Sequence, residues 1–183
     1  MAARVTMAEL ITFTRRLIGD PTGAAAHFTD DDIQATLDTR RQVVKFDALA
    51  AIATPAATVL RYDYISRPFF ESGATFQDRA YAAVTPNVPD YMNGLYSFTT
   101  GRTDDLYISG KRYDPYGAAG DLADEWMGAL KDQFDYSAGA SSFKLSQQID
   151  NLSKLSARLH LRAEGLGQAG TTATILVERS DTL

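Results

Sequence analysis

Cysteine is missing from this chain, and histidine occurs only twice, at His27 and His160. The first absence removes disulfides, thiolate zinc sites and cysteine nucleophiles together. The two histidines lie far apart in sequence with no second ligand at metal spacing, so each reads as an ordinary surface or packing residue. No apolar run approaches the ~20 residues that a membrane-spanning helix needs. The first eighteen residues carry Arg4, Glu9, Arg15 and Arg16 where a signal peptide would be apolar, so a soluble, cytoplasmically made protein is expected. Basic charge is also in short supply. With 18 Lys and Arg against 23 Asp and Glu the formal net charge is -5 and the pI near 5.0, which argues against a broad basic surface that neutralises nucleic-acid phosphates.

What is present suffices for a fold. At 183 residues, 45% hydrophobic and 22% charged, the chain has the material for one ordinary core, so one domain, or one carrying an insertion, is expected. Thr6 and Glu9 have capping-box spacing, and Met7, Leu10, Ile11, Phe13, Thr14, Leu17 and Ile18 then fall largely on one helical face, ended by Gly19-Asp20-Pro21. A second helix is predicted from Thr29. Asp30, Asp31 and Asp32 suit its positive N-terminal end, Ile33, Leu37 and Val44 continue an apolar stripe, and Arg40, Arg41 and Lys45 sit toward the other end. From about Ala56 to Tyr113, aromatic and β-branched residues broken by Pro and Gly read as strands and loops. Leu60, Tyr62 and Tyr64 share one strand face there, and Leu106 to Gly110 reads as another strand.

Asp114 as a cap and Pro115 at the first helical position open a third helix, with Ala119, Leu122, Ala123, Trp126, Met127 and Leu130 at three- and four-residue steps. A fourth, about Ser142 to Glu164, sets Leu145, Ile149, Leu152, Leu155 and Leu159 against Lys154, Arg158 and Arg162, and Gly165 is its expected stop. Beyond the glycines at 165, 167 and 170, the run Thr174-Ile175-Leu176-Val177 reads as a β-prone extended segment on a flexible joint. Such a segment either docks on a partner by strand addition or pairs with the chain's own sheet.

Candidate chemistry is sparse. Gly165-Leu166-Gly167-Gln168-Ala169-Gly170 matches the dinucleotide fingerprint in letters, but that motif works only between a strand and a helix, and here a helix precedes it. Adjacent Asp30, Asp31 and Asp32 lack the alternating spacing of a calcium loop and are better explained by the helix dipole. Ser137, Ser141 and Ser142 have no nucleophile motif. Asp121 and Glu125 have the i,i+4 spacing of a solvated helix face. Lys154, Arg158 and Arg162 form a basic stripe that either contacts a subunit or partner or is simply solvated, with Asp150 as a supporting pair for Lys154. No catalytic residue, cofactor or metal is assigned, and the chain reads as non-enzymatic.

Two stretches resemble a known family. Leu10-Ile11 through Leu17-Ile18-Gly19-Asp20-Pro21 and Phe28-Thr29-Asp30-Asp31-Asp32-Ile33 are similar to the N-terminal helical pair of head-tail adaptor (connector) proteins of long-tailed bacteriophages. Leu106 to Asp114, leading into Ala118-Ala119-Gly120-Asp121-Leu122, and then Ser141 to Gln147, resemble that family's strand, G-x-x-Y-D turn and C-terminal helix pair. Gly120 departs from a run that is usually alanine, which either weakens the helix or permits a closer helix contact. The resemblance covers about half the chain and implies an α+β, mainly α fold. In that fold a bundle of about four helices carries a strand and loop insertion, and the C-terminal tail is extended. The implied division is a helical pair in residues 1–55, a β-rich insertion in 56–113, a second helical pair in 114–165 and a tail in 166–183.

By the same resemblance, the chain forms a ring, expected to be dodecameric, under the portal protein at the neck of the virion. It receives a stopper or tail-completion protein and lets double-stranded DNA pass without sequence-specific binding. Thr174, Ile175, Leu176, Val177, Arg179 and Leu183 are then the portal-docking tail. The rival readings are a tail-completion or tail-terminator subunit and, in a different class, a monomeric ligand-binding domain or enzyme that uses the tyrosine-rich insertion as a pocket.

Overall fold

A computed structural model describes residues 2–52, 61–102, 104–134 and 142–178. The described elements run α1 (Ala8–Ile18), α2 (Asp30–Thr39), β1 (Gln42–Ala48), β2 (Ala50–Ala51), β3 (Arg61–Ile65), β4 (Thr75–Asp78), β5 (Ala83–Val84), β6 (Val88–Asp90), β7 (Leu95–Arg102), β8 (Leu106–Arg112), α3 (Pro115–Phe134) and α4 (Ser142–Glu178). The expected mainly α bundle is therefore wrong. Among the described residues the fold is mixed, with four α-helices and eight strands, the strands in two antiparallel sheets. The chain divides into two compact units: Met1–Ala2, Ile11–Arg40 and Asp114–Leu183 form one, and Ala3–Leu10 with Arg41–Tyr113 form the other.

In the helical unit the local signals hold at both predicted caps. The Thr29 hydroxyl accepts from the Asp32 amide at 3.2 Å, and the Asp32 carboxylate accepts from the Thr29 amide at 2.8 Å, which closes a reciprocal capping box. Hydrogen bonds from the Thr29 hydroxyl and amide hold the Asp32 carboxyl below its ordinary value. Asp114 Oδ1 accepts from the Gly117 amide at 3.0 Å, capping α3 with Pro115 at its first position. The second helix, however, ends at Thr39, and Val44 and Lys45 belong to β1. The Arg40 guanidinium is drawn to Asp121, with Nε and Nη2 at 2.6 and 2.7 Å from its two carboxylate oxygens. The β-branched pair Val43-Val44 then favours a strand.

The helices α3 and α4 pack antiparallel, with the Arg162 guanidinium 4.4 Å from the Tyr116 ring centroid and His160 Nε2 3.3 Å from Asp124 Oδ2. They approach closely at Gly120, where a Cβ would lie 2.6 Å from the His160 ring. Of the two consequences weighed for this glycine, the structure has the close contact. Buried Ala118, Ala119, Leu122 and Ala123 on α3, and Leu152 and Leu159 on α4, supply apolar contact in this unit.

The expected stop at Gly165 and the extended tail are also corrected. Helix α4 continues through the three glycines to Glu178, placing Thr174, Ile175, Leu176 and Val177 on helical backbone, whereas Arg179 and Leu183 lie outside the described residues. A glycine stops a helix by adopting positive φ at its end, and Gly165 does not do so. At 37 residues against 20, α4 far exceeds α3. Because Arg162 already faces the first turn of α3, roughly the last four turns of α4 run beyond it.

The strand unit packs two four-stranded sheets, ordered β1-β8-β4-β5 and β2-β3-β7-β6, around Leu49, Tyr64, Phe70, Phe76, Tyr96, Phe98, Leu106 and Ile108. Alternation assigns the faces. In the second sheet, Ala51, Tyr64 and Tyr96 lie in register and point inward, and the adjacent row, Ala50, Ile65, Leu95 and Asp90, points outward. Of the residues expected to share a strand face, Tyr64 is buried, Tyr62 is exposed beside the irregularity between Arg61 and Asp63, and Leu60 lies outside the described residues. Burial raises the Tyr64 hydroxyl and pushes that of Tyr96 up to about 12.

Candidate functional site

The residues singled out from sequence do not converge. Lys154 pairs with Asp150 at 2.6 Å, as anticipated, and Arg158 Nε donates to the Lys154 carbonyl at 3.2 Å. Arg162 is engaged over Tyr116, so the basic stripe is divided between a surface pair and a contact that holds α4 to α3. His27 stacks on Trp126 at 4.7 Å and 16°, with Phe28 edge-on. The six residues of the glycine fingerprint all lie inside α4, without the strand-to-helix turn that aims amides at a pyrophosphate.

Two charged hubs, one in each unit, were not legible in the sequence. In the helical unit, Arg15 is 6% exposed and reaches Asp20, the Phe28 carbonyl at 3.0 Å and Asp30 at 2.7 Å. Asp20 also accepts from the His27 and Phe28 amides at 2.7 and 3.3 Å, so the two side chains together fasten the loop between α1 and α2. In the strand unit, Glu71 is 7% exposed and receives Arg4 Nε at 3.0 Å, the Thr6 hydroxyl at 2.6 Å and the Tyr113 hydroxyl at 2.9 Å. Thr6, expected to cap α1, is thus committed to Glu71. Burial alone would raise the Glu71 carboxyl, but hydrogen bonds from Thr6, Tyr113 and Arg4 outweigh it and hold the group below its ordinary value.

Cavities open among the described residues of the strand unit. One of about 300 Å³ lies by Phe76, Val84, Pro86 and Tyr91, and one of about 500 Å³ by Thr6, Glu9, Ser72 and Asp90. Tyr91 lines both, but no other tyrosine of this region joins it at either cavity. Tyr64 and Tyr96 are core residues, and Tyr81 and Tyr107 stand on the other side of their sheet.

The conspicuous feature of the unit is its two outer faces. On the β1-β8-β4-β5 sheet, the Phe46 ring lies 4.0 Å from Tyr107 at 7° and 4.7 Å from Tyr81 at 26°, making a three-ring stack. Phe46 and Tyr81 both have left-handed backbones, with φ of 54° and 63°. Phe46 sits in the bulge of β1, its amide held by the Ser109 hydroxyl at 2.9 Å. Tyr81 occupies the β4–β5 turn, which the Asp78 carboxylate anchors through the Ala80 and Ala82 amides. A left-handed conformation costs a non-glycine residue about 1–2 kcal/mol, so two bulky aromatics there mark a strained surface. On the other sheet, Ile52, Ile65, Val88 and Leu95 expose 42, 42, 59 and 39% of their surface on one face.

The chain matches no protein-family model, no curated protein and no solved structure. Among the described residues no group of three metal-ligating side chains gathers, and no helix is long and apolar enough to cross a membrane.

Proposed function

We propose that this chain is a head-tail adaptor of a long-tailed bacteriophage, a virion structural protein that forms a ring under the portal, extends the DNA channel and offers a surface to the stopper or tail. The observation that supports the reading is the order of elements. Two N-terminal helices are followed by a strand unit, and β8 leads through Tyr113-Asp114 directly into α3 and a long α4. That is the order in which the resembling segments occur. Exposed aliphatic and aromatic side chains on the strand unit favour a role in assembly, because apolar surface concentrated on a face marks contacts with other proteins.

The change from an extended tail to a helix alters how portal docking works. Ile175, Leu176 and Val177 would engage the portal from the last turns of α4, as a helix laid on a groove and not as an added strand. The test is capture of the full chain by the portal protein encoded beside it, compared with a chain ending at residue 170. The full chain should be retained and the shortened one, still folded by circular dichroism, should not. Equal retention of both would remove the docking role from this segment, and retention of neither would remove the adaptor reading.

A further inference from the structure

The two outer faces of the strand unit differ in chemistry and lie on opposite sides of one shared core. Inward-pointing Phe76 of the first sheet packs on Tyr96 and Phe98 of the second, at 4.8 and 6.2 Å. Residues that point away from this core on the two sheets therefore face in opposite directions. One outer face carries the Phe46, Tyr107 and Tyr81 stack. Exposed Lys45 adjoins Phe46, and exposed Arg79 lies two residues before Tyr81. Among the described residues neither cation has an ion pair. Asp78, in the same turn, is occupied by backbone amides, and half-buried Asp47 is the nearby acid.

The opposite face carries Ile52, Ile65, Val88 and Leu95, with Asp63 and Asp90 in the same outward rows. Asp63 accepts from the Ser97 hydroxyl at 2.6 Å, and Asp90 accepts from the Asn93 amide and side chain at 3.0 and 2.9 Å. Both carboxylates keep lone pairs for a cation.

We propose that the strand unit associates head to tail with further copies of itself, the ring-stack face of one copy seated on the aliphatic face of the next. Charge complementarity selects a second copy as the occupant, because Lys45 and Arg79 on one face answer Asp63 and Asp90 on the other. A contact between unlike patches of identical subunits is heterologous, and it propagates until the rotation closes a ring. The strained backbones of Phe46 and Tyr81 fit this role, since they hold flat rings outward before any partner arrives. The proposal deepens the ring reading above and rests on it for closure, but it can be tested separately.

Each face can be blocked alone by a substitution at an exposed position: Tyr81→Asp on one, and Leu95→Lys on the other. Light scattering on the full-length chain should give a multiple of 20.0 kDa for the unaltered protein and 20.0 kDa for each variant. A one-to-one mixture of the two variants should form a heterodimer of twice that mass, because one intact face of each kind remains. Arg79→Glu and Val88→Lys repeat the experiment on the same faces if either first variant fails to fold. A monomeric unaltered chain, variants that keep the oligomer, or a mixture that stays monomeric would each overturn the proposal. Retention by the portal would be unaffected by the second of these results, which separates failure of this contact from failure of the adaptor reading.

Discussion

Replacing Gly94 by alanine should be among the most damaging single-methyl additions in the strand unit. Gly94 has φ of +70°, and a Cβ built on it would lie 2.6 Å from the Ser66 carbonyl oxygen and 2.7 Å from that of Arg67. Its own carbonyl accepts the Ser66 amide at 2.8 Å, so the obstructing backbone cannot withdraw without breaking that bond. The left-handed conformation costs about 1 kcal/mol for alanine, and forcing a methyl against fixed atoms costs roughly 1–3 kcal/mol more, giving a loss of roughly 2–4 kcal/mol. At this chain length, 1 kcal/mol corresponds to about 2–4 °C in melting temperature. Gly73 is the control: its φ is +95°, but nothing lies within 4 Å of a Cβ there, so Gly73→Ala should cost only the conformational part, about 1 kcal/mol. Urea denaturation followed by circular dichroism measures both. Equal losses at the two positions would refute the steric argument and with it the close approach that sets Leu95 across from Ile65.

Glu71→Gln should make stability less dependent on acid. The folded carboxyl titrates below its ordinary value, so its contribution is complete above about pH 4.5 and disappears as the pH falls through the lower folded value. Melting temperatures of the parent should fall more steeply than those of the variant as pH drops below 4.5; parallel curves would show that the hub is not charged when folded. Arg15→Met leaves Asp20 buried without its cation, and breaking a buried pair in this way costs about 3–5 kcal/mol. A loss under about 1 kcal/mol by urea denaturation would show that the amides of His27 and Phe28 satisfy Asp20 by themselves.

How much of this was legible in the sequence follows from how far apart the interacting residues are. Thr29 with Asp32, and Asp114 with Gly117, are contacts three residues apart, and composition and spacing identify them. The pairing of Gln42 with Arg112 spans most of the strand unit, and no local pattern announces it. Val44 continues the helical spacing of Ile33 and Leu37, and so reads as helix. Its true neighbour, Gly110, is distant in sequence, so tertiary pairing overrode the periodicity. Phe46 and Tyr81 occupy positions that usually call for glycine, which hid both the bulge and the turn. At the other end of the chain, glycines read as a stop proved to be interior to α4, because each only weakens a helix by about 1 kcal/mol relative to alanine. Asp20, read as part of a breaker, is the buried anchor of Arg15. Asp150 with Lys154, in contrast, was evident from its four-residue step.

The adaptor reading stands most directly on where the chain resides after assembly. On the adaptor proposal, quantitative mass spectrometry of purified mature phage particles, with cross-linking to identify neighbours, should find the chain in a fixed ratio to the portal and cross-linked to it through residues at the end of α4. Particles that are complete and infectious but lack the chain, or cross-links that place it away from the head-tail junction, would contradict the account.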